Sequence, residues 1–248
     1  MNLIVAARNG DIATINRLLD KGADPNKLSV DPNIPNDDGR LPLAVAARNS
    51  NTTSSLETVK LLLDRGADPN VKEKSGYTAL IVAARNANGD SSLDTVRLLL
   101  DRGANIDLQN TNGSTALILA TRYSTEGSSL ETVKLLLDRG ANVNIRDGIG
   151  FTALMSAARN SNTDSSIDTV RLLLDRGADI DAQEKKELTA LMLASRNSNT
   201  DSSIETVKLL LERGANPNLV NISGYSALYL ASEFSNAESS LETVRLLL

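Results

Sequence analysis

A chain of 248 residues with 4 Tyr, 2 Phe and no Trp carries its apolar content in Leu, Ile, Val and Ala, which suits thin, closely packed helices. The absence of Cys excludes disulfides and thiolate metal sites, and the absence of His removes the commonest general base and transition-metal ligand. A net charge of -5 with a pI near 4.9 argues against a nucleic-acid binder, and no apolar stretch reaches the length of a membrane span.

At the N-terminus, Met1-Asn2-Leu3-Ile4-Val5-Ala6-Ala7-Arg8 has no basic region ahead of a long apolar run, so it does not read as a signal peptide. A soluble, cytoplasmic protein is expected. The first helical hairpin runs 14 residues from Arg8 to Gly22, against 18 from Arg48 to Gly66. The connection that follows, Gly22 to Gly39, is 17 residues where Gly66 to Gly76 is 10. The extra segment, around Leu28 to Pro35, is stiffened by Pro25, Pro32 and Pro35. It reads either as a contact loop or as a tolerated surface insertion. Asp31 to Gly39 invites comparison with a calcium loop and fails it, because Pro35 stands where an oxygen ligand is needed and Asn36 where Gly is needed. No metal and no cofactor are expected.

From there the chain is periodic. Gly66, Gly103, Gly140, Gly177 and Gly214, each in Arg-Gly-Ala, are spaced by 37 residues. A second marker keeps the step at Gly39, Gly76, Gly113 and Gly150, then Glu187 in place of Gly, then Gly224. Within a period, Thr78 to Arg85 and Leu93 to Asp101 form two short apolar segments separated by a polar link, which predicts a helical hairpin. Ser54, Ser91, Ser128, Ser165, Ser202 and Ser239 each stand three residues before an acid, which predicts a capping box at the second helix. Those acids also precede Lys60, Arg97, Lys134, Arg171, Lys208 and Arg245 by three residues, a favourable order. Gly then ends each second helix. Seven units result, approximately 1–37, 38–74, 75–111, 112–148, 149–185, 186–222 and 223–248, in one continuous array over 1–248. The first is atypical and the last incomplete. The close at Leu246-Leu247-Leu248, without the Asp-Arg-Gly stop, leads to the expectation that the natural chain continues.

Thr-Ala-Leu, Ala-Ala, Val-Lys/Arg-Leu-Leu-Leu and Gly-Ala-Asp/Asn closely resemble the ankyrin repeat pattern over nearly the whole chain. The resemblance implies an all-α solenoid of stacked helical hairpins with projecting finger loops. The long period and polar Asn/Ser/Thr loops are similar to arrays of large DNA viruses or intracellular bacteria, in which case host cytoplasm is the expected location. Two features depart from the family. Four extra residues fall between the helices, and the family's Thr-Pro-Leu-His becomes Thr-Ala-Leu followed by Ile81, Ile118, Met155, Met192 or Tyr229, so the usual Thr to His hydrogen bond is lost.

The resemblance also implies a partner on a concave face lined by fingers and first helices. The matching positions include Tyr77, Phe151 and Tyr225 in fingers, and Arg48, Arg85, Arg122, Arg159 and Arg196 closing first helices, with Tyr123 and Phe234 beside that position. Aromatics are enriched in binding hot spots. The Arg ladder has no acid at i-4 or i-3 on its own helix. Roughly 10 Å between rungs makes mutual repulsion in water only about 0.4 kcal/mol, so duplication alone can maintain such a ladder. Recurrent acids in register with structural roles do not form the singular, unequal pair of an enzyme. The expected function is a protein-protein interaction module or scaffold, not an enzyme. The expected partner is another protein, acidic or extended, with no nucleic acid and no membrane, and the chain itself is expected to be a monomer. A structural spacer, or the substrate-receptor part of an adaptor such as a ubiquitin-ligase subunit, is the alternative. Differing polarity among the fingers, from Val71 to Ser75 through Leu219 to Ser223, favours binding.

Overall fold

The computed structural model describes residues 2–27, 39–87, 89, 91–122, 130–161, 167–198, 203–233 and 241–248. Fourteen helices and no strand occur among them, alternating between an inner and an outer layer. The inner helices are α1 (Leu3–Arg8), α3 (Pro42–Arg48), α5 (Ala79–Arg85), α7 (Ala116–Arg122), α9 (Ala153–Arg159), α11 (Ala190–Arg196) and α13 (Ala227–Glu233). The outer helices are α2 (Ile12–Asp20), α4 (Leu56–Asp64), α6 (Leu93–Asp101), α8 (Leu130–Asp138), α10 (Ile167–Asp175), α12 (Ile204–Glu212) and α14 (Leu241–Leu247). Each inner helix packs on the inner helix of the next hairpin and, less extensively, the outer helices from α4 to α14 each pack on the next.

Inner helices are too short to persist alone, and their sequence explains how they are held. Ala79 to Ala84 are all buried, because the helix is covered on both sides by its neighbours. Fully buried Ala46, Ala83, Ala120, Ala157 and Ala194 let those neighbours approach closely. With the family's Thr to His bond lost, the residue that follows Thr-Ala-Leu packs instead: Ile81, Ile118, Met155 and Met192 are each 1% exposed. The Thr keeps a cap role, since Thr78, Thr115, Thr152 and Thr189 accept the backbone N–H three residues on. In α3 Pro42 takes the first helical position, where no N–H is needed.

Outer helices are amphipathic. In α4 Thr58, Val59 and Leu62 point inward while Glu57 and Lys60 face solvent. The acids support the cations as expected where Lys208 Nζ lies 2.9 Å from Glu205, and more weakly where Arg97 lies 3.9 Å from Asp94. Each long outer helix ends in a Schellman turn: Gly66 donates to Leu63 and Ala67 to Leu62, with Gly66 at φ 89.

The capping box must be corrected by one residue. The caps of α4, α6 and α12 are Ser55, Ser92 and Ser203, which accept from Thr58, Thr95 and Thr206. Ser54 and Ser91 are buried behind them, and their own N–H groups already donate to Asn49 and Asn86. The acid therefore has no orphan donor to reach back to at those two residues. Inward placement of the Thr fixes the register, and the acid remains in the first turn, where the helix dipole favours it. Ser128, Ser165, Ser202 and Ser239 lie outside the described residues.

The four-residue insertion carries structure. Thr95 donates to Ser50 at 2.7 Å, and Thr206 to Ser161 and Thr243 to Ser198 at the same distance, all buried and each joining one hairpin's connection to the next outer helix. Asn51 donates to the Ser91 carbonyl and Thr53 to the Arg8 carbonyl. The three Thr to Ser bonds satisfy polar groups that stacking buries.

Candidate binding groove between the fingers and the inner helices

Four of the described fingers are tight turns closed by their own first side chain, whereas the Glu73 carboxylate accepts the Leu41 N–H. Asp147 Oδ1 accepts from the backbone N–H of both Ile149 and Phe151, while the Asp147 N–H donates to the Phe151 carbonyl. Asn110, Glu184 and Asn221 repeat the arrangement with one side-chain oxygen each. The turn needs a left-handed residue at its fourth position. Gly113 supplies φ 75, and Glu187 adopts φ 60 where Gly is missing.

Successive fingers are stitched by main-chain bonds, Thr111 N to Ser75 O, Gly148 N to Asn112 O, Lys185 N to Ile149 O and Ile222 N to Lys186 O. The fit is so close that a Cβ on Gly113 would stand 2.4 Å from the Gly148 nitrogen. The backbone is thus fixed by repeated geometry, and the residues around the turn tip are left to vary.

Facing the fingers are the Arg residues that close the inner helices. At two rungs the register three residues before the finger marker supplies the acid that their own helices lack, Glu73 toward Arg48 and Asp147 toward Arg122. Arg122 Nη2 lies 3.4 Å from Asp147 Oδ2, whose side chain is only 6% exposed. Arg48 is held below the usual guanidinium range by burial and by the neighbouring Arg40, opposed by the attraction of Glu73. The same register holds Asn110 and Asn221 in other fingers. Tracing this register from the markers could have revealed the pattern in the sequence.

Two adjoining grooves run between fingers and inner helices. One, of about 550 Å³, is lined by Tyr77, Arg85, Arg122, Asp147 and the polar finger Asn110 to Ser114. The other, of about 730 Å³, is lined by Phe151, Leu188, Leu193, Arg159, Arg196 and the finger residues Glu184 to Lys186. Ile149 belongs to both. Of the sequence-predicted positions, the first groove brings together Tyr77, Arg85 and Arg122, and the second Phe151, Arg159 and Arg196. Phe151 is 7% exposed, so most of the ring belongs to the core and the remainder to the groove. Arg48 stands one rung away, near Arg85 and Tyr77. Tyr225 lines neither groove and stacks on Tyr229, with centroids 4.1 Å apart. Tyr123 and Phe234 lie outside the described residues. Lys185, Lys186 and Ile149 were not singled out from the sequence, because no repeated register marks them.

The other surfaces differ. Arg65, Arg102, Arg139, Arg176 and Arg213 on the outer edge bind Asp20, Asp64, Asp101, Asp138 and Asp175 of the preceding hairpin, at 2.6 to 2.9 Å. No group of His, Cys, Asp or Glu suited to a metal ion occurs among the described residues, and no described helix is long and apolar enough to cross a membrane.

Comparison with known proteins agrees with the geometry. A family model described as ankyrin repeats in three copies matches residues 3–110, 87–184 and 154–248. No curated protein sequence matches the chain. Among solved structures, the ankyrin repeat domain of Bcl-3, described as a unique member of the IkappaB protein family, is similar at 27% identity and a TM-score of 0.75. That similarity covers 100% of this chain and 97% of the other. Repeats, markers, helical hairpins and finger turns lead to one conclusion: the chain belongs to the ankyrin repeat family.

Proposed function

We propose that the chain is a non-catalytic protein-binding module whose partner lies along its concave face, against the fingers and inner helices, with residues 1–248 acting as one continuous array. The observation that carries this reading is the pair of adjoining grooves meeting at Ile149, which bring six of the sequence-predicted positions into two neighbouring clusters. On the inner face, exposed Arg159, Lys185 and Lys186 line one groove, so an incoming acidic or extended partner meets a cluster of cations there. Guanidinium groups pair with carboxylates in a forked geometry, and aromatic or aliphatic groups beside them add buried apolar area.

The test is affinity capture from the native host with three forms of the chain: unaltered, with Arg85, Arg122 and Arg159 changed to Gln, and with Lys60, Lys134 and Lys208 changed to Gln. Loss of the captured protein only in the inner-face form is the expected result. Loss only in the outer-helix form would assign the partner to the other side. A spacer would capture nothing that the inner-face changes release.

A further inference from the structure

Fingers 147–151 and 184–188 are unlike the others. At the third finger position, where Ile149 is 55% exposed, the remaining fingers carry Ser75, Asn112, Lys186 and Ser223. An exposed β-branched residue thus stands where every other described finger is polar. Below it the groove floor is apolar, formed by Phe151, Leu188 and Leu193. Its rim carries four cations, Arg159, Arg196, Lys185 and Lys186, against a single carboxylate, Glu184. That carboxylate is committed to the turn, because one of its oxygens accepts the N–H groups of Lys186 and Leu188. On a chain of net charge -5 this is a local excess of the opposite sign, the arrangement that draws an anionic segment to one place on a surface. The adjoining groove is different, with polar walls and Arg122 paired to Asp147.

We propose that the groove between fingers 147–151 and 184–188 is the anchor point for an acidic peptide segment carrying one bulky apolar side chain. The apolar side chain lies on Phe151, Leu188 and Leu193, covered by Ile149, and flanking carboxylates meet Arg159, Arg196, Lys185 and Lys186. The segment continues into the groove at Arg85 and Arg122. This inference rests on the protein-binding reading above and narrows it to one site and one ligand chemistry. The volume of about 730 Å³ suits a side chain with its flanking backbone. A nucleic-acid strand fits less well: its bases need exposed aromatic faces for stacking, and the groove's one aromatic, Phe151, is buried.

The experiment is a fluorescence anisotropy titration of the full chain against the labelled peptide Glu-Asp-Glu-Phe-Glu-Asp-Glu. Parallel titrations use the same peptide with Gly in place of Phe, a Lys/Arg peptide around the same Phe, and a thymidine oligonucleotide of equal charge. The acidic Phe peptide is expected to bind at least about tenfold more tightly than each of the others. Arg159→Glu and Lys185→Glu, both at exposed positions, are each expected to weaken it by about tenfold. Ile149→Ser, which installs the residue type of other fingers, should reduce the preference for Phe over Gly. Lys60→Glu on the outer layer should change nothing. No detectable binding, equal binding of the Gly peptide or the oligonucleotide, or indifference to both charge reversals would overturn the inference. If the peptide fails while Arg85, Arg122 and Arg159 changes still release a captured protein, only this inference falls. If capture too is indifferent to those changes, the protein-binding reading falls with it.

Discussion

Two Arg ladders run along this array, and the same residue type serves different ends in each. On the outer edge every described rung meets an Asp from the preceding hairpin, Arg102 on Asp64 and Arg139 on Asp101 alike. Those Asp residues end their helices, where the dipole disfavours a negative charge, and an Arg from the next hairpin offsets it. On the inner edge Arg122 meets Asp147 and Arg48 is attracted by Glu73, while the same register holds Asn110 and Asn221 in other fingers. A repeated partner marks a contact that every hairpin needs in order to stack. A partner that varies marks a surface that stacking leaves free to specialise.

The strongest way to break this comparison is through the finger backbone, which is as strictly repeated as the outer ladder. Gly113→Ala puts a Cβ into the main chain of the next finger at a left-handed φ, and is expected to cost about 3 kcal/mol in a denaturant titration. Glu187→Gly relieves the same conformation where the sequence lacks Gly, and should stabilise by about 1 kcal/mol. If Gly113→Ala were neutral, the fingers would not be held by their backbone stitches.

A second contrast separates adjacent serines. Ser55→Ala removes the hydroxyl that caps α4 and should cost about 1 kcal/mol. Ser54→Ala removes a buried hydroxyl that has no hydrogen-bond partner, and should leave the midpoint unchanged or raise it. Equal losses would restore the box at Ser54.

A third contrast compares the ladders directly. Arg102→Ala breaks an exposed outer pair, with an expected cost of about 0.5 kcal/mol. Asp147→Asn keeps the oxygen that closes the finger, as Asn110 and Asn221 do in theirs, but removes the carboxylate beside Arg122. Its stability change should be comparably small, while binding of an acidic partner becomes faster and more dependent on salt. A large loss of stability from Asp147→Asn would make the inner ladder as structural as the outer one.

These contrasts show what the sequence made legible. Period, hairpins, helix-ending Gly residues and the left-handed position at Glu187 follow from local rules, and the structure reproduces them. The cap slipped by one because Ser54 and Ser55 satisfy the same local rule, and only inward packing of Thr58 decides between them. Arg102 meeting Asp64 was hidden for a related reason: both residues recur in every period, yet their pairing crosses 38 positions and depends on how hairpins stack. The groove at Ile149 was hardest to foresee. Its signal is a departure from the repeat, Ile149 where other fingers hold polar residues, and periodicity marks only what recurs.

The smallest effect concerns the one ionisable cap described among the outer helices. Asp11 caps α2, accepting the Thr14 N–H at 2.9 Å, where α4, α6 and α12 use Ser with Thr at the same spacing. The backbone hydrogen bond from Thr14, helped by the Thr14 side chain and by Arg17, lowers the Asp11 pKa below its ordinary value of 3.8. A carboxyl more acidic in the folded state binds protons more readily when unfolded. Its contribution is therefore fully present above the ordinary value and lost as pH falls through the lower, folded one. Asp11→Asn keeps a good cap without the charge. The melting temperature of the unaltered chain minus that of Asp11→Asn should be positive at neutral pH and shrink between about pH 5 and pH 2, whereas the same comparison at Ser55→Asn should stay level. A difference at Asp11 that is equally flat would mean that its hydrogen bond to Thr14 does not distinguish the charged from the neutral carboxyl, and that the first outer helix is held as the others are.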